Sequence, residues 1–262
     1  MQYADAHIHL ADPEYEGLLP YMIETAKKAN VSALVSNAMD YETSQRTLAL
    51  AREYSGLVYA AIGIHPWNAV SQNERDLETV SEIATRRIRE IVAIGEIGLD
   101  RIYAKEEEHF RIQSEVFRKM LELAERTDLP VLVHSRGSIQ EVLEFIRTSR
   151  VKRVLFHWYS GSIKVLKEII GNGYWITVGP SLLYSKHIQE IAKATPVEFI
   201  LTETDGPVAY RGPFQGKLTT PEFLPIVVEE LAKTIGSKVE DLSGQLIQNF
   251  RSFFNIETSL KP

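Results

Sequence analysis

Eight times along the chain a short, unbroken apolar run is followed by a longer stretch with helical periodicity. The strand-like runs are Tyr3–His7, Val31–Ser36, Leu57–Ile64, Ile91–Glu96, Pro130–His134, Arg153–His157, Tyr174–Val178 and Glu198–Thr202. Helical patterns over Leu18–Ala29, Glu42–Tyr54, Arg75–Arg89, Glu106–Arg126, Ile139–Arg147, Ile163–Ile170, Ile188–Lys193 and Glu222–Thr234 follow them in turn. Runs such as Val131-Leu132-Val133 lack the in–out alternation of a half-exposed sheet. Strands buried on both faces read this way, as in a parallel sheet covered by helices. Eight consecutive units predict a closed α/β barrel of the (β/α)8 TIM type, though an open doubly wound sheet carries the same local pattern. The 262 residues fit one such barrel, which typically needs about 250. With no linker or low-complexity tract in view, residues 1–262 read as a single domain. A last helical stretch, Leu242–Phe254, is expected to pack outside as an addition.

The polar residues that carry chemistry fall where these strands end. The first run closes in Asp5-Ala6-His7-Ile8-His9, and strand alternation places Asp5, His7 and His9 on one face. Two imidazoles so spaced can grip one metal ion. Glu96 follows an apolar run between glycines, at the mouth of the expected barrel, where a carboxylate is costly unless a cation pairs with it. His134 and His157 close the fifth and sixth runs, and Asp205 follows the eighth. In a barrel these strand ends converge on one face, where active sites lie. His7, His9, Glu96, His134, His157 and Asp205 exceed what one catalytic ion needs, so two divalent ions are expected, sharing an activated water. Asp205 is suited to accept a proton, and Glu96 to bridge. His65, closing the third strand, is a candidate for contact with substrate. Asp100 reads as a helix cap, and His109 and His187 receive no role.

Composition narrows the field. Cysteine is absent, which removes disulfides, thiolate nucleophiles and Cys-type zinc sites. Net charge is −6, so a broad basic face for coating nucleic acid is not expected. The start of the chain lacks the pattern of a signal peptide, and no apolar run has the length to span a bilayer. A cytoplasmic protein is the expectation.

The segments DAHIHL at 5–10, GIHPW at 63–67, GEIGLD at 95–100, LVHSR at 132–136, FHWYSG at 156–161 and TETDGP at 202–207 together resemble the TatD family of metal-dependent deoxyribonucleases, an amidohydrolase-like branch of barrels. The resemblance runs through almost the whole chain. It implies that His7, His9, Glu96 and Asp205 serve one ion, and that Glu96 bridges to a second held by His134 and His157. It implies phosphate contacts for His65 and Arg136. The implied activity is hydrolysis of DNA, often from the 3′ end, on single strands or at ends, with magnesium. The imidazole-rich ligand list suits zinc or manganese better, so a site open to several divalent ions is expected. The sequence departs from the family pattern at Trp158 and Tyr159, at Gly206, and before Pro221, where Thr220 replaces a frequent Asn. None of these touches an expected ligand.

Arg136, Lys186, Arg211 and Lys217 lie in loops at the expected mouth and are candidates for steering phosphate. Trp67, Trp158 and Tyr159 neighbour the site residues and are candidates for stacking bases. Two rival readings remain at this stage. One is a barrel hydrolase acting on a small phosphoester, lactone or amide; such enzymes often bridge metals with a lysine, yet here the nearest lysine, Lys105, follows the loop. The other is a non-catalytic metal-binding scaffold, whose signature would be a lost ligand.

Overall fold

The computed structural model describes residues 1–71 and 74–256. Eight strands form one parallel sheet in sequence order: β1 Tyr3–Ile8, β2 Val31–Asn37, β3 Val58–Ile62, β4 Ile91–Gly98, β5 Val131–His134, β6 Val154–Phe156, β7 Trp175–Val178 and β8 Ile200–Thr202. The ring closes just beyond the last strand: Asp205 N–H donates to the His7 carbonyl at 2.8 Å and His9 N–H to the Gly206 carbonyl at 2.8 Å. That closure, with sequential strand order, makes a (β/α)8 barrel and excludes the doubly wound sheet, whose order reverses at a switch point.

The helices are α1 Leu19–Lys28, α2 Tyr41–Glu53, α3 Pro66–Ala69, α4 Glu74–Arg86, α5 Glu107–Thr127, α6 Ile139–Thr148, α7 Ile163–Gly171, α8 Lys186–Ala194, α9 Leu224–Ile235 and α10 Val239–Phe254. Apolar residues fill two shells. Ala4, Ala6, Ala33, Ala61 and Ala93 with Val35, Leu132, Leu155 and Leu201 form one cluster, and the small side chains dominate it. Larger residues, among them Ile62 and Val133 of the strands and Val80 and Leu143 of the helices, form the other cluster.

Four expectations need correction. The pattern over Arg75–Arg89 divides into α4 and a 3-10 turn at Ile88–Glu90. The expected helix from Glu222 begins as a 3-10 turn, Pro221–Phe223, because prolines at 221 and 225 each start a first turn. The short α3 was not expected; it starts on Pro66, with His65 as its N-cap accepting Trp67 N–H at 3.1 Å. The last helix is no outer addition. Ile247, Phe250, Phe253 and Phe254 of α10 join the alanine-rich interior cluster. Asn249 Nδ2 donates to the Ile200 carbonyl at 2.9 Å and Ser243 Oγ to the Gln2 carbonyl at 2.6 Å, both where strands begin. The helix therefore plugs the N-terminal end of the barrel, opposite the site.

Gly98 shows why the GEIGLD segment needs its second glycine. Its φ is +143°, and a Cβ there would be driven into the His134 carbonyl oxygen. Gly98→Ala is expected to cost about 3 kcal/mol from strain and overpacking combined. For a chain of this size that is a fall of roughly 6–12 °C in Tm, and a melting curve unchanged within 2 °C by calorimetry would refute the argument.

Candidate metal centre

All six expected ligands meet at the C-terminal mouth. His7 and His9 come from the end of β1, Glu96 from β4, His134 from β5, His157 directly after β6 and Asp205 from the loop after β8. All six are buried. Glu96 lies at the centre, and its two oxygens face different partners. Oε2 is 3.2 Å from both His7 Nε2 and His9 Nε2, with Asp205 Oδ1 3.5 Å from His7 Nε2 and 3.7 Å from His9 Nε2. Oε1 is 2.7 Å from His157 Nε2, 2.8 Å from His134 Nδ1 and 3.3 Å from His65 Nε2. One carboxylate thus separates two half-sites.

The hydrogen bonds behind the rings decide which nitrogen faces the cluster. His9 Nδ1–H donates to the Asn37 carbonyl at 3.0 Å, which leaves Nε2 for the cluster, 3.3 Å from His7 Nε2. His134 Nε2–H donates to Asp100 Oδ2 at 2.9 Å, which leaves Nδ1 for the cluster. His65 is built the other way. Its Nδ1 accepts Trp67 N–H, so Nε2 carries a proton and points a donor at the site. His65 is therefore suited to hold a substrate oxygen rather than a cation, although its Nε2 groups geometrically with Glu96 and His134.

Charge sharpens this picture. Burial, helped by the neighbouring His157, pulls His7 well below its usual pKa, and burial takes His65 down to about 4. Burial opposes protonation of His9, His134 and His157 as well, yet Glu96 with Asp205 for His9, Asp100 with Glu96 for His134, and Glu96 with Glu203 for His157 hold them above the usual value. Glu96 is held well below the carboxylate range by His157, His65 and His7, against its burial. Carboxylate oxygens and ring nitrogens converging in a buried space call for positive charge, supplied by protons on the imidazoles or by cations. Divalent cations fit this mixed imidazole and carboxylate donor set.

Two carboxylates prove to be supports. Asp5 does not join the cluster. The β1–β2 register shifts between Asp5 and Ile8, which breaks the alternation that placed Asp5 with His7 and His9. Its Oδ1 instead accepts His7 N–H at 3.1 Å and Thr204 N–H at 3.0 Å, pinning β1 to the loop after β8. Burial pushes its carboxyl up to about 8. Asp100 does more than cap. Its Oδ1 accepts Ile102 and Tyr103 N–H at 2.9 Å, while Oδ2 accepts both His134 Nε2–H and Trp67 Nε1–H, the latter at 2.7 Å. Asp100→Asn presents an amide where His134 needs an acceptor. It is expected to weaken metal binding by about 10–100-fold, measured by chelator competition; wild-type affinity would reject the support.

The sequence reading passed over Glu203. It is buried, its Oε1 accepts Trp158 N–H at 2.9 Å, and its Oε2 faces His157 Nδ1 at 3.7 Å, neither atom having another partner. Its signal was an acidic residue directly after an apolar run, as at Glu96. The departure at Gly206 also finds its reason. A Cβ there would strike Tyr15 Oη, which donates to the Thr219 carbonyl at 2.6 Å.

Around the mouth, Arg136, Lys186, Arg211 and Lys217 are exposed. The aromatic expectations divide. Tyr159 is buried, with its hydroxyl on the Ser162 carbonyl, and cannot stack a base. Trp158, at φ +40°, is half-buried against Tyr210. Trp67 alone of the three is exposed.

An eight-stranded parallel barrel with this buried imidazole–carboxylate cluster at its C-terminal mouth defines a metal-dependent hydrolase. The chain belongs to the TatD related DNase family, whose model matches residues 4–255. It is 32% identical over 254 residues to an uncharacterized metal-dependent hydrolase of Methanocaldococcus jannaschii, covering 97% of each chain. It is 31% identical over 258 residues to the human deoxyribonuclease TATDN3, covering 95% of this chain and 93% of the human one. The crystal structure of YjjV, a TatD homologue from Escherichia coli K12, superposes with a TM-score of 0.91 at 29% identity, over 97% of this chain and 98% of that one.

Proposed function

We propose that this hydrolase is a deoxyribonuclease that removes nucleotides from the 3′ ends of DNA, preferring single strands, with two divalent ions held on either side of Glu96. The observation that carries the reading is the division of Glu96, one oxygen toward His7 and His9 and the other toward His134 and His157. The human relative named a deoxyribonuclease supports the substrate class. His7, His9, Glu96 and Asp205 would hold one ion, and Glu96, His134 and His157 the other. Magnesium, manganese and zinc are the candidates, and the imidazoles favour the last two.

Bound divalent ions supply Lewis-acid polarisation of the phosphodiester and of the attacking water. The chain supplies the rest. Asp205, beside the first half-site, accepts the proton from the attacking water. His65 donates its Nε2–H to a phosphate oxygen. Arg136, with no ion pair among the described residues, offers its guanidinium to the same phosphate. The reading takes the chain as one barrel domain working in the cytoplasm; among the described residues no helix is long and apolar enough to cross a membrane.

The test uses chelator-treated protein, end-labelled single-stranded DNA and each metal in turn. Shortening from the 3′ end, dependent on added metal, is the expected result. Absence of cleavage with every ion, while metal still binds, would move the reading to a small phosphoester, lactone or amide.

A further inference from the structure

We propose that Trp67 and Tyr103 form a stacking shelf that takes the base beside the scissile phosphate, so that the enzyme reads a nucleotide and not only its phosphate. This rests on the deoxyribonuclease reading above. Trp67 comes from α3, which follows β3, and Tyr103 from the loop after β4, and the rings stack with centroids 5.5 Å apart and planes 20° apart. Trp67 is 39% exposed, Tyr103 53% and the adjoining Ile102 52%. In contrast, Tyr159 is 2% exposed, as a ring used for packing should be. An exposed aromatic pair of this kind adds little to the core; its free surface is available to a flat apolar partner.

Three further observations point to a base as that partner. Position is the first. The Trp67 ring lies edge-on to His65, with centroids 5.1 Å apart, and 6.2 Å from the His134 ring. A phosphate held by His65 and the cluster therefore has its attached nucleoside beside the shelf. Orientation is the second. Trp67 Nε1–H and His134 Nε2–H share one acceptor, Asp100 Oδ2, at 2.7 and 2.9 Å. Tyr103 is fixed by the same residue, its N–H on Asp100 Oδ1 at 2.9 Å. The shelf is ordered before substrate arrives, so little freedom is lost on binding. Charge is the third. Arg101 N–H donates to the Arg136 carbonyl at 3.0 Å, and Ile102 lies where a side chain on Gly137 would point. The backbone of Arg136, an exposed cation without an ion pair among the described residues, thus lies against the loop that carries Tyr103. An aromatic face and an exposed cation carried on adjoining loops match a nucleotide's base and phosphate together.

The experiment uses short fluorescent single-stranded oligothymidylates, one intact and one with abasic residues at the 3′-terminal and penultimate positions. Binding is read by anisotropy with Mn²⁺ on the Asp205→Asn protein, with and without Tyr103→Leu, and cleavage on the wild type. Tyr103 is half-exposed, and a melting curve verifies that the Leu variant is folded. The intact oligonucleotide is expected to bind roughly 5- to 150-fold more tightly than the abasic one, and Tyr103→Leu to bring that ratio close to one. Equal binding of the two oligonucleotides, or a ratio that survives Tyr103→Leu, overturns the shelf. Wild-type cleavage of both at equal rates also overturns the shelf while leaving the deoxyribonuclease reading intact. A ratio lost on Tyr103→Leu with no cleavage of either oligonucleotide supports the shelf and rejects the deoxyribonuclease reading.

Discussion

Glu96→Gln is expected to lower the DNA cleavage rate on the order of 10³-fold, the upper end for loss of one preorganised electrostatic group. The size follows from its position. Glu96 is 1% exposed and lies within 3.3 Å of five imidazoles. Gln keeps the volume and one acceptor oxygen, but it removes the negative charge and turns an amide toward one half-site. Each half-site loses a shared anionic donor in one substitution. Metal binding should fall by more than the 10–100-fold that loss of an outer support costs. The two readouts are single-turnover cleavage and metal content after dialysis. A variant that retains both the metal content and a tenth of the rate would show that Glu96 is not the bridge.

The convergence of the six expected ligands was legible because a barrel converts sequence order into geometry. His7, His9, Glu96, His134, His157 and Asp205 each follow an apolar run, and all strands of a parallel barrel end on one face. The alternation argument failed at Asp5, where a register shift in β1 turns a carboxylate that period-two counting had aligned with the histidines. Periodicity also could not place α10. Its aromatic stripe fits an outer helix as well as a plug, and only the interior alanines leave room for Phe250 and Phe253. Asp100 and Glu203 were opaque for another reason. Their roles depend on which nitrogen of His134 or His157 points backward, and that is set by contacts 34 and 46 residues apart in the chain. The Trp67–Tyr103 pair joins α3 to the loop after β4 through Asp100, a link with no local signature.

Asp205→Asn is expected to lower kcat about 10²–10⁴-fold, the range for loss of a positioned general base, while metal stays bound through His7, His9 and Glu96. Asn is the right replacement on backbone grounds. Asp205 has φ +49°, a left-handed conformation that Asn tolerates and Ala does not, and its N–H closes the barrel on the His7 carbonyl. Loss of rate in the Asn variant therefore reports the carboxylate and not backbone strain. A pH experiment on the metal-free protein gives an independent reading. Burial raises the Asp205 carboxyl above its usual value, against the opposing pull of His157. A group whose folded pKa is raised stabilises the fold at low pH, and that contribution is lost as pH climbs through the folded value. Wild-type Tm in chelator should thus fall more steeply than that of Asp205→Asn as pH rises from the usual carboxylate range through neutrality. Bound cations favour the ionised form and should remove the difference. Parallel curves without metal would mean that Asp205 is already ionised in the empty fold. A kcat within tenfold of wild type for the Asn variant would move the proton to another acceptor, such as Glu203, the buried carboxylate facing His157.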